Sequence, residues 1–78
     1  MEYYSTFFTH SAAIGFSRFI SRKGIENESA PVPRKLSSNC GIGVRFSYDG
    51  ELTEIYFDDM ERLYRIESDK FILIKDFE

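Results

Sequence analysis

The sequence predicts an α+β fold in which strands and helices alternate as β-α-β-β-α-β, with one extra strand at the C-terminal end. Three observations carry that expectation. Residues 2–8, "EYYSTFF", alternate Tyr4, Thr6 and Phe8 against Tyr3, Ser5 and Phe7, every one β-branched, aromatic or small. "THSAAIGFSRFISRKG" then sets Ala12 or Ala13, Phe16, Phe19 and Ile20 at helical spacing. Finally, "IGVRF" returns to period two, with Ile42, Val44 and Phe46 on one side. The resulting order is that of a ferredoxin-like split βαβ domain.

The first strand is apolar on both faces and is expected at the centre of its sheet. The helix after it has Thr9 or Ser11 as N-cap, basic residues in its last turn and Gly24 where a left-handed C-cap belongs. Gly15 inside that helix costs about 1 kcal/mol relative to Ala, which predicts the close approach of another backbone. "IENESA" reads as a polar edge strand that Pro31 ends, because proline has no N–H for a ladder. "DGELTEIYFDD" predicts a short second helix capped by Asp49, with Leu52, Ile55 and Tyr56 on one face. "ERLYRIE" and "KFILIK" read as strands joined by a turn at "ESDK". A single helix over residues 51–66 is the alternative, since Leu52, Ile55, Tyr56, Leu63 and Ile66 stay partly in phase.

With 78 residues there is material for one core, so residues 1–78 are taken as a single domain. Composition is globular at 42% hydrophobic, 17% aromatic and 29% charged residues. A formal charge of −3 argues against a phosphate-backbone partner, which would need clustered Lys and Arg. The longest apolar run, Phe71 to Ile74, is four residues, and "MEYYSTFF" carries an acid where a signal peptide needs a base. These features predict a cytoplasmic protein with no nucleic-acid or membrane partner. One cysteine and one histidine cannot supply a disulfide or a structural zinc site, so no metal and no cofactor are expected.

The segment "PVPRKLSSNCGIGVRF", residues 31–46, concentrates what remains: both prolines, the only cysteine, and arginines six residues before and five after it. About eleven residues separate the second and third strands, where hairpins take two to five, and a long ordered loop usually carries function. Pro31 and Pro33 make a stiff arm. Ser37, Ser38 and Asn39 favour a turn, and Gly41 permits positive φ, so backbone N–H groups of residues 39–41 can converge on negative charge. Cys40 would then sit at the tip of a braced turn as a nucleophilic thiolate, with Arg34, Ser37, Ser38, Asn39, Gly41 and Arg45 as its anion-stabilising groups. The competing reading treats Cys40 as a small buried hydrophobe. Its neighbours are polar and its segment lacks apolar periodicity, which favours a chemical role. His10 reads as a helix-start or surface group, and "FDDMER" as a solvated turn. "GIG" lacks the third glycine of a dinucleotide loop.

These residues resemble the signature of the small selenium/sulfur carrier-like domain family, whose members place a PVPR element, a serine-rich turn and a Cys-Gly pair before a strand ending in Arg-Phe. "THSAA", "KGI" and "LYRI" extend the similarity to roughly residues 3–67. "ENESA" is more polar than the aliphatic stretch of the family, the second helix is short, and residues 68–78 lie outside the likeness. The resemblance implies a compact α+β domain that carries sulfur or selenium on Cys40 as a persulfide or perselenide. Its partners would be donor and acceptor proteins, and it would be a carrier more than a turnover enzyme. Two other functions are compatible with the residues. One is a protein-interaction module, such as a homodimer joined along an edge or tail strand, with Cys40 structural. The other is a thiol redox sensor.

Overall fold

In the computed structural model, which describes all residues except Ser37 and Asn39, the order is β1 (Glu2–Phe7), α1 (His10–Arg22), β2 (Asn27–Pro31), β3 (Ile42–Ser47), a 3-10 turn (Leu52–Ile55), β4 (Met60–Glu67) and β5 (Lys70–Asp76). The strands form one sheet in the order β2-β3-β1-β4-β5, with every neighbouring pair antiparallel. Among the described residues this is a small α+β fold with one α-helix. Among the described residues no helix is long and apolar enough to cross a membrane.

β1 is central and buried from Tyr3 through Phe7, as its two apolar faces require. Tyr3 and Phe7 point to the side covered by α1, where they join Phe16, Ile20, Val44, Phe46, Ile55, Met60 and Leu63 in the core. Phe16 is the hub. Its ring lies 5.2 Å from Phe7, 5.4 Å from Phe46 and 5.8 Å from Phe57, separations at which aromatic edges and faces attract. α1 is capped as its sequence dictates. Thr9 Oγ1 accepts from the Ala12 N–H at 3.1 Å, and at the other end Gly24 takes a left-handed φ of 79°.

Two features differ from the sequence expectation. The second α-helix of the β-α-β-β-α-β pattern shrinks to the 3-10 turn Leu52–Ile55, and Asp49 does not cap it; Asp49 accepts an ion pair from the Met1 ammonium at 2.8 Å. The cause is packing: Tyr56 turns extended, with ψ 139°, and this drops Phe57 onto Phe16 and Phe19. Gly15 is explained by the same ring. A Cβ there would lie 3.2 Å from Phe57 Cζ, so the close neighbour is a side chain and not a backbone.

The other strands follow their sequence signals. β2 is the polar edge strand and Pro31 is its last residue. β4 and β5 form a hairpin whose turn residues, Ser68 and Asp69, both have positive φ, 48° and 64°, the conformation of a two-residue type I′ turn. That hairpin excludes the single helix over 51–66.

Candidate functional site

The second face of the sheet, opposite α1, is where the cysteine loop lies. Tyr4 and Thr6 of β1 point to it and are buried, at 3% and 0% exposure. The hydroxyl end of Tyr4 lies against Gly43: a Cβ on Gly43 would fall 2.5 Å from the Tyr4 hydroxyl and 2.5 Å from the Ser5 carbonyl. The Tyr4 phenol donates to the Ala30 carbonyl at 3.1 Å, which ties the central strand to the end of β2 immediately before Pro31. Phe71 stands edge-on to Tyr4 and to Tyr64, extending an aromatic floor across β1, β4 and β5.

Ten residues, 32–41, join β2 to β3. The Val32 N–H donates to the Gly41 carbonyl at 3.1 Å, so the loop is closed at its base by one more rung. Within it, the Leu36 N–H donates to the Pro33 carbonyl at 2.9 Å, making Pro33–Leu36 a β-turn with proline first. Arg34 and Lys35 are its central residues. Cys40 lies outside this turn. Cys40 lies on the return to β3, half-buried and free, next to Gly41 with its φ of 78°.

The loop folds back over the aromatic floor. Lys35 Nζ stands 5.4 Å above the Phe71 ring, a cation–π contact. Ser38 is the anchor on the return. Its hydroxyl donates to Glu61 Oε1 at 2.9 Å, lies 3.4 Å from the Phe7 carbonyl, and accepts the backbone N–H of Cys40 at 3.3 Å. Glu61 is 3% exposed at the start of β4, beside the irregularity where β1 and β4 shift register between Thr6 and Phe7. Cys40 lies near enough to Tyr4 for its thiolate charge to act on the phenol. Burial first, and that charge second, push the Tyr4 pKa up to about 12.

Of the residues expected around the sulfur, Ser38 and Gly41 are placed on the segment that holds it. Arg34 is exposed at the turn. Arg45 sends its guanidinium to both carboxylate oxygens of Glu2, with Nη2 at 3.0 Å and 3.2 Å; Glu2 holds it above its ordinary pKa, and is itself held below the usual carboxylate range by Arg45. Pro31 ends β2 and Pro33 begins the turn. Ser37 and Asn39 lie outside the described residues. His10 is exposed at the first position of α1.

Sequence reasoning missed three residues here. From sequence, Tyr4 is one apolar residue of a central strand, Lys35 is indistinguishable from a solvated loop charge, and Glu61 belongs to a solvated turn. Only the Ser-rich loop hinted at a buried acceptor. Among the described residues no three His, Cys, Asp or Glu side chains converge to hold a metal ion. A shallow depression of about 210 Å³, lined by Glu2, Glu28 and Arg45 among others, sits toward the far end of β3 from Cys40.

A small α+β sheet domain with one free, half-buried cysteine on a proline-braced, serine-anchored loop is the class that fold and site define. Its family follows from comparison: the family described as "Putative Se/S carrier protein-like" matches residues 2–57, and the chain belongs to it. That match takes in β1, α1, β2, the whole cysteine loop and β3. No curated protein and no solved structure matches the chain.

Proposed function

We propose that this protein is a sulfur or selenium carrier that holds the chalcogen atom on Cys40. The observation that carries the reading is the placement of Cys40. The thiol is free and half-buried on the loop's return to β3, with its backbone tethered through Ser38 to the buried Glu61. A fixed backbone presents one sulfur in one direction. Partial burial shelters a bound chalcogen from bulk thiols while leaving an approach for a partner protein.

The chemistry needs one thiol and no oxidant. The Cys40 thiolate attacks the outer sulfur of a donor persulfide, R–S–SH. A new S–S bond forms at Cys40, the donor's S–S bond breaks, and its electron pair leaves with the donor thiolate. Discharge is the same exchange, with an acceptor thiolate attacking the outer atom of Cys40–S–SH. Selenium follows the same course with an outer selenium atom. Lys35, held over Phe71, adds positive charge above the floor on which the loop rests, and the Cys40–Gly41 backbone with Ser38 orients the group.

The test is to incubate the protein with a cysteine desulfurase and cysteine, then weigh the intact chain after gentle alkylation. One added sulfur on Cys40, absent from Cys40→Ser, is the expected result. No adduct from any desulfurase tried, with the native thiol inert to alkylation, counts against the carrier. A Cys40→Ser variant that keeps full cellular function would instead favour an interaction module. A sulfenic acid or mixed disulfide forming at Cys40 under mild oxidant, without sulfur loading, would favour a redox sensor.

A further inference from the structure

We propose that the free edge of β5 is a homodimer interface, in which two copies join their β5 strands antiparallel about a twofold axis through Leu73. β5 is an outer strand, laddered only to β4. It carries three consecutive exposed aliphatic side chains, Ile72, Leu73 and Ile74, with Leu73 half exposed at 50%. Such a row of apolar side chains beside unpaired N–H and C=O groups is a template for another strand.

The opposite edge of the sheet is guarded. β2 ends in Pro31 and carries Glu28, the proline and charge that natural edges use to refuse partners. β5 has charges only at its ends, Lys70, Lys75 and Asp76. In its ladder with β4, Leu73 faces Tyr64 and Lys75 faces Leu63, so Ile74 has no opposite residue on that side.

Charge complementarity identifies the occupant as a second copy. Two identical antiparallel strands related by a twofold axis must pair one residue with itself. With Leu73 on the axis, Ile72 falls opposite Ile74, Phe71 opposite Lys75, and Lys70 opposite Asp76 of the second copy, at both ends. Lys70 makes no ion pair among the described residues, and this register sets it against Asp76, whose carboxylate it would share with Arg62 of that copy. Moving the axis to Ile72 sets Lys70 against Ile74, and moving it to Ile74 sets Lys70 against Glu78, an acid that lies past the end of β5 and outside its ladder. Opposite charges across a strand pair are favourable, and apolar pairs at its centre more so. The twofold axis runs perpendicular to the sheet and preserves its faces, so the two five-stranded sheets become one. Both α1 helices then lie on one side and both Cys40 loops on the other.

Sedimentation equilibrium over a wide concentration range tests this. The native chain is expected to sediment as two copies, and Leu73→Lys, at a half-exposed position that leaves the fold intact, to raise the dimer dissociation constant at least about tenfold. The register is read separately in a Cys40→Ser background. Leu73→Cys is expected to form an intermolecular disulfide readily, and Lys70→Cys to form it more slowly. A native chain that sediments as a single copy throughout, a dimer indifferent to Leu73→Lys, or faster crosslinking through Lys70→Cys would each overturn the proposal.

Discussion

Gly43→Ala is the sharpest probe of how the loop rests on the sheet. The added methyl would sit 2.5 Å from the Ser5 carbonyl oxygen and 2.5 Å from the Tyr4 hydroxyl, where carbon and oxygen need more than 3 Å. The carbonyl belongs to the β1–β3 ladder, where Ser5 faces Val44 and Thr6 faces Gly43, so it cannot retreat without opening the centre of the sheet. Tyr4 can lift, and in lifting it gives up its bond to Ala30 and its packing on Phe71. Overpacking of this kind costs about 1–3 kcal/mol, and a lost buried hydrogen bond adds about 1 kcal/mol. The expected total is about 2–4 kcal/mol. For a domain of this size that lowers Tm by roughly 8–32 °C, a large part of a stability of roughly 4–12 kcal/mol. Urea unfolding followed by circular dichroism measures it. Gly43→Ala in a Tyr4→Ala background recovers part of the loss, because only one of the two clashes is removed. A Gly43→Ala protein within about 0.5 kcal/mol of native, the range of neutral surface changes, would show that Tyr4 does not lie against Gly43.

Other expectations follow from the same geometry. Phe16→Ala removes the ring at the centre of the core and should cost about 3–5 kcal/mol in urea unfolding. Tyr4 holds its proton more tightly folded, with a pKa of about 12, than unfolded, near 10. Stability from this source is therefore complete below about pH 10 and is lost as pH rises toward 12; the total, about 2–3 kcal/mol, should vanish from the pH profile of Tyr4→Phe. Removing the thiolate by Cys40→Ser should move the Tyr4 titration downward, which NMR of the ring can follow. Ser38→Ala leaves Glu61 without one of its partners and the Cys40 N–H without its acceptor; it should destabilise by about 1–3 kcal/mol and speed Cys40 alkylation as the loop loosens.

How much of this was legible in the sequence depended on the range of the interaction. The buried alternation of β1, the Thr9 and Gly24 caps of α1 and the Ser68–Asp69 turn are written in neighbouring residues, and each forms as its local chemistry dictates. The second helix failed because Phe57 gains more from Phe16 and Phe19 than residues 52–56 gain from a further helical turn, and that choice is made by residues some forty positions away. The cysteine loop was recognisable from its prolines, serines and Cys-Gly pair, and the family match covers all of it. What the loop rests on was not. Tyr4, Glu61 and Phe71 meet it only through strand order, and nothing near them in the chain distinguishes a floor from ordinary core. Arg45 shows the converse case: the motif places it five residues from Cys40, and its register opposite Tyr4, with Glu2 two residues before that tyrosine, directs it to the carboxylate.

The native alkylation rate of Cys40 by a small electrophile, compared with that of the unfolded chain, tests most directly whether this thiol can exchange sulfur from the folded state. A reachable sulfur should label within about a hundredfold of the unfolded rate and ignore low concentrations of urea. A sulfur that must wait for global unfolding would label roughly 10³–10⁹ times more slowly, as a stability of about 4–12 kcal/mol requires, and would speed up with each increment of urea; that result would contradict a carrier built on Cys40.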